Sequence, residues 1–220
     1  MKKVLILFIF ILTMTSCKYK ITSPYSEYDI SLGGNENKTL SVIDANASTD
    51  EIINALENNK KITGKNIIVV VGHIPSSTIF DNMKTALQNE SNIELDLSDA
   101  ILDSNYKFTS ENALFLKTVL FASTLKMAAN FFKGCTSLVN IRMPNSLMTV
   151  EGTCFDGCSS LKNIEYLGTS PNTIKATTLS GTAPTDLYLP NVPSNPNDQS
   201  WDNFLGVKWT RIHYGTSMPK

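Results

Sequence analysis

The chain has 220 residues, with 19 Lys and Arg against 20 Asp and Glu and a formal net charge of −1. That near-neutral balance, with lysines scattered rather than clustered, leaves no electrostatic footprint for nucleic acid. A hydrophobic fraction of 42% over this length suits one domain with a sizeable core.

The chain opens with MKKVLILFIFILTMTSC, two lysines followed by an apolar run from Val4 to Leu12. Such a run falls short of the ~20 residues a helix needs to cross a bilayer, so residues 1–16 read as a secretory signal peptide. Thr15 and Ser16 ahead of Cys17, at the close of the apolar run, resemble the lipobox of bacterial lipoproteins. The resemblance implies a diacylglycerol on Cys17, and hence a membrane anchor. Removing residues 1–16 takes two lysines and leaves a net charge of −3.

Residues 17–47 are rich in Ser, Asn, Gly and Tyr without sustained periodicity. They read as a flexible tether, with a short strand near Leu40 to Ile43. The folded body with its caps is expected over residues 48–214, followed by a tail at 215–220. In STDEIINALENNK, Ser48 and Glu51 form a capping box, and Ile52, Ile53 and Leu56 make an apolar stripe. A helix over roughly 49–60 is therefore expected. A second helix is expected within 76–89, N-capped by Ser77 or Thr78, with Phe80, Met83 and Leu87 on one face. Between them NIIVVVG (66–72) is a very apolar strand. The expected arrangement is an α/β cap closing the N-terminal end of a solenoid.

The solenoid is indicated by an internal repeat. FFKGCTSLVNI at 131–141 returns as CFDGCSSLKNI at 154–164, so Phe132 and Phe155, Gly134 and Gly157, Cys135 and Cys158, and Ile141 and Ile164 each lie 23 residues apart. In LVNIRMP, Leu138, Ile141 and Met143 alternate with polar Asn140 and Arg142, as in a strand with one face inward. The steps from Leu95 to Val119, Ile141, Ile164 and Leu187 are 24, 22, 23 and 23 residues. Parallel strands are therefore expected near 93–97, 117–121, 139–143, 162–166 and 186–189. Residues 98–115 lack the Gly-Cys pair and count as a degenerate repeat. Beyond the fifth strand a Pro- and Asn-rich loop leads to a helical turn with Trp201, Phe204 and Leu205, then to a strand in VKWTRIHYG. The two tryptophans are expected to cap the C-terminal end of the core.

The unit x-x-Phe-x-Gly-Cys-x-Ser-Leu-x-x-Ile-x-x-Pro resembles the BspA-type leucine-rich repeat of bacterial surface proteins, over roughly residues 90–190. The resemblance implies a leucine-rich-repeat solenoid; with the N-terminal α/β cap and short C-terminal cap read from the flanking residues, the expected fold class is α/β. The resemblance also implies protein–protein interaction, as in adhesion to host matrix proteins or other bacteria, with no shared catalytic residue set.

Chemistry-bearing signals are sparse. Cys135, Cys154 and Cys158 read as buried thiols acting as small hydrophobes, or as partners in a disulfide. The sequence contains no nucleophile elbow, phosphate-binding loop or His-Glu-x-x-His pair. His73 and His213 read as structural or exposed histidines. Asp96, Asp99 and Asp103, and Asn195, Asn197, Asp198 and Asp202, have no EF-hand spacing and read as loop acids. The reading is a non-enzymatic protein with no cofactor, metal or small-molecule substrate. Outward residues of the expected strands form two columns: Asp96, Leu120, Arg142, Glu165 and Tyr188, beside Glu94, Thr118, Asn140, Asn163 and Asp186. They make either a protein-binding face anchored by Arg142 and Tyr188 or an inert solvated one. The expected location is the outer membrane or cell surface, facing a host or bacterial partner. The alternative is a periplasmic module binding a partner of the same cell.

Overall fold

The computed structural model describes residues 29–32, 39–102, 113–128, 131–176, 179 and 181–219. The expected signal peptide, Cys17, much of the expected tether and residues 103–112 of the degenerate repeat lie outside them. In chain order the strands and helices are β1 (Asp29–Leu32), β2 (Thr39–Ile43), α1 (Thr49–Thr63), β3 (Ile67–Val70), β4 (Gly72–Ile74) and α2 (Thr78–Leu87). The repeats follow as β5 (Ile93–Asp96), β6 (Ala100–Leu102), β7 (Leu116–Leu120), β8 (Met127–Ala128), β9 (Asn140–Met143), β10 (Thr149–Val150), β11 (Asn163–Tyr166), β12 (Lys175–Ala176), β13 (Asp186–Leu189) and β14 (Arg211–Tyr214).

Nine strands form one sheet in the order β1-β2-β3-β5-β7-β9-β11-β13-β14, parallel throughout. Short parallel ladders, β8-β10-β12 and β4-β6, form separate small sheets that join successive rungs away from the large one. This is the α/β solenoid the repeat demands: each rung adds one strand to the large sheet, and stacking covers the apolar edge that one rung alone would expose. Inward residues stand in register as Leu95, Val119, Ile141, Ile164 and Leu187, all buried.

At the turns Gly134 and Gly157 adopt φ of 74° and 76°, a region that glycine enters without strain. The Gly134 N–H donates to the Asp156 carbonyl at 2.7 Å, locking one rung's turn to the next. Cys135, Cys154 and Cys158 are buried, and none of them forms a disulfide among the described residues. The Cys158 thiol donates to the Phe132 carbonyl at 2.9 Å. Desolvation pushes the Cys158 thiol up to about 12 and raises Cys154 as well, so neither is a ready thiolate.

Ser48 and Glu51 make the expected capping box on α1, and the helix runs on to a left-handed Gly64. At α2 the N-cap is Ser77, without a side-chain cap. Two boundaries differ from the sequence reading. The short strand expected near Leu40 to Ile43 forms as β2, and with β1 it adds to the sheet's edge, so the sheet does not begin at β3 but within the stretch expected as a tether. Buried Asn59 on α1 holds β2 there: its Oδ1 accepts from Ser41 N–H at 2.7 Å, and its Nδ2 donates to the Ser41 and Ile67 carbonyls. β3 is buried on both faces, its side chains divided between two apolar clusters, which is why it reads as an unbroken apolar run. At the other end the last strand starts only at Arg211. Leu205 and Gly206, with φ of 59° and 68°, turn the chain before Val207 and Trp209. Both tryptophans are buried, and Trp201 packs on Tyr166 and Phe204.

Candidate interaction face

Because strand side chains alternate, the residues between the inward ones emerge on the sheet's outer face, one column per register position. The expected columns form. Glu94, Thr118, Asn140, Asn163, Asp186 and Arg211 stand in one, and Asp96, Leu120, Arg142, Glu165, Tyr188 and His213 in the other.

In the first column Asn163 Nδ2 donates to Asn140 Oδ1 at 2.7 Å, and Asn140 Nδ2 donates to Thr118 Oγ1 at 3.0 Å. These cross-strand bonds fix three side chains into a polar ladder. The ladder gives way to an ionic cluster: Asp186 accepts from Arg211 Nε at 2.6 Å and Nη2 at 2.8 Å, and from the Thr185 hydroxyl at 2.6 Å. His213 Nε2 lies 3.0 Å from the same carboxylate. The Arg211 fork, ahead of the His213 and Thr185 contacts, holds the Asp186 carboxyl well below the usual carboxylate range.

The second column is not the open face the sequence implied. Leu120 is 2% exposed, Asp96 and Glu165 are fully buried, and Tyr188 is 9% exposed. Thr118 is likewise buried, while Arg142, Asn140 and Asn163 are half-buried. Arg142 Nε pairs with Glu165 Oε2, and Tyr188 stacks on His213 with centroids 4.3 Å apart and 7° between planes. The two anchors chosen from sequence are therefore already engaged within the protein. Asp96 Oδ1 accepts from Ser98 N–H at 2.9 Å.

Over Leu120, Arg142 and Glu165 of this column lie Met218 and Pro219, part of a segment read from sequence as a plain tail. The Met218 N–H donates to Glu165 Oε1 at 3.4 Å, and the Met218 side chain is 6% exposed. No periodicity marks a segment this short, and one methionine before a proline is too little apolar signal to place it on the sheet. Beside it a groove of about 660 Å³ runs along the strand starts, lined by Lys60, Lys65, Lys117 and Lys162 with Asn140 and Asn163.

Little on this face resembles a reaction centre. Among the described residues no group of three or more His, Cys, Asp or Glu is placed to hold a metal ion, and no helix is long and apolar enough to cross a membrane. Asn195 and Asp198 spend side-chain oxygens on the N–H groups of Asn197 and Ser200, shaping their own loop.

Parallel rungs that share one sheet and one core, turned by left-handed glycines, define a leucine-rich-repeat solenoid. Residues 101–213, just over half of the chain, match the BspA type leucine rich repeat region in six copies, and the chain belongs to that family. Comparison with curated proteins and with solved structures gave no match. The matched span runs past the fifth rung into β14, whose inward Ile212 stands beside Leu187. Leucine-rich repeats suggest protein–protein interaction and are typically non-enzymatic.

Proposed function

We propose that this is an exported protein, anchored by lipid at Cys17 and displayed at the cell surface, whose repeat sheet binds proteins of the host matrix or of other bacteria. The observation that carries the interaction reading is the outer face itself. Across successive rungs it presents the Thr118–Asn140–Asn163 ladder, side chains that contribute nothing to the apolar core. The anchor and the location rest on the sequence pattern around Cys17.

Binding of the purified protein to immobilised matrix proteins and to whole bacteria tests the interaction. Asn140→Ala with Asn163→Ala should weaken a genuine partner more than about tenfold. A partner that binds the double variant as tightly as the parent places the site off this face. Palmitate labelling that is lost in Cys17→Ser tests the anchor. Cleavage by protease added to intact cells separates the cell surface from the periplasm.

A further inference from the structure

Beyond β14 the chain turns at Gly215, whose N–H donates to the Leu189 and Val192 carbonyls at 3.0 and 2.7 Å. From there it runs back across the strands. Met218 meets Glu165 on β11, and Met218 and Pro219 close over Leu120 and Arg142 so tightly that only about 30 Å³ remains between them. An outward leucine and a carboxylate on a sheet face are both out of water because of this strap. Glu165 shows what the face asks of an occupant: Oε2 is taken by Arg142, and Oε1 by a main-chain N–H. Leu120, beside it, takes an apolar side chain.

We propose that the outer face of β7, β9 and β11 is a recognition groove for an extended peptide segment carrying an apolar side chain before a proline, and that Thr216–Pro219 is its resident occupant. This rests on reading the face as a protein-binding surface. A protein partner binds by displacing the strap. The strap's described hold on the groove is one buried side chain and one long hydrogen bond, a small anchorage beside the paired strands beneath it. Covalent attachment gives it a high effective concentration, so it closes the face despite that weak hold. A ligand competing with a strap seated about nine-tenths of the time binds with about tenfold lower apparent affinity.

The test is NMR titration of a synthetic peptide spanning residues 214–219 into labelled protein. The parent is compared with a chain lacking residues 216–220 and with full-length Met218→Asp, which keeps its length should truncation disturb folding. In both variants the peptide should shift the amides of Leu120, Arg142 and Glu165, with an affinity at least about tenfold above that for the parent. A peptide carrying Asp at the methionine position should not bind. Equal responses in parent and variants, or no response at those three residues in either variant, overturn the proposal. If a matrix or bacterial partner binds parent and opened variants alike, the strap inference fails while the interaction reading stands. If the peptide enters the opened groove but no protein does, the groove and its resident occupant stand, while displacement by a partner fails together with the interaction reading.

Discussion

The phenyl rings of Phe132 and Phe155 lie parallel, with 1° between their planes and centroids 6.2 Å apart, although one belongs to each of two successive rungs. Both are fully buried, and Phe121 packs against the pair. Phe132→Ala should therefore cost about 3–5 kcal/mol, since it removes a ring from the middle of a stack that cannot collapse without shifting its rung. Urea unfolding measures this. A loss below about 1 kcal/mol would show that the neighbouring rungs refill the space.

Gly168 is constrained by contact rather than by backbone angle. A Cβ there would lie 2.2 Å from the Tyr166 ring, so Gly168→Ala forces a fully buried aromatic to move. The expected cost is about 1–3 kcal/mol, and it should shrink when Tyr166→Leu is present, giving a non-additive double-mutant cycle. Strict additivity in the melting free energies would separate the two residues.

Arg142 and Glu165 form a pair in which the glutamate side chain is fully buried and the arginine side chain is 17% exposed. Arg142→Ala strands a buried charge, at an expected cost of about 2–4 kcal/mol, well above that of a surface substitution. Adding Glu165→Gln should recover at least half of the loss. A double variant no more stable than Arg142→Ala would assign the effect to lost packing by the arginine stem.

Asp186 makes stability depend on pH in a definite direction. Its folded carboxyl is depressed, chiefly by the Arg211 hydrogen bonds, below the ordinary value of about 3.9. Between those two values the unfolded chain binds a proton that the folded chain does not, so stability rises with pH there. The contribution is complete above the ordinary value and is lost as pH falls toward the depressed one. Denaturation midpoints for parent and Asp186→Asn should differ most above about pH 5 and converge in acid. A constant difference down to about pH 2 would mean that the ion pair is not the origin.

Desolvation of Cys154 and Cys158 makes a further outcome checkable. Neither thiol, nor buried Cys135, should react with an alkylating agent in the native protein at neutral pH, and all three should react once the chain is unfolded. Mass mapping of the labelled peptides reads this out. Rapid native labelling at Cys158 would show that its turn opens locally.

The sequence by itself determined the solenoid. Phe, Gly, Cys and Ile recur at fixed spacing because every rung meets the same two neighbours, and identical surroundings select identical residues. That recurrence located the strands to within a residue or so and five members of each outward column. Tertiary structure alone decided what happens where the surroundings stop repeating. At one edge the strand near Leu40 to Ile43 was legible but its place beside β3 was not: Asn59 sets it, through hydrogen bonds spanning 18 residues to Ser41 and 8 to Ile67. At the other, Met218 reaches Glu165 across 53 residues and covers the face that alternation had assigned to solvent. Alternation fixes which way a side chain points, because the period of a strand is local. Whether water or another part of the chain waits there depends on contacts between residues far apart in sequence, and no periodicity records those.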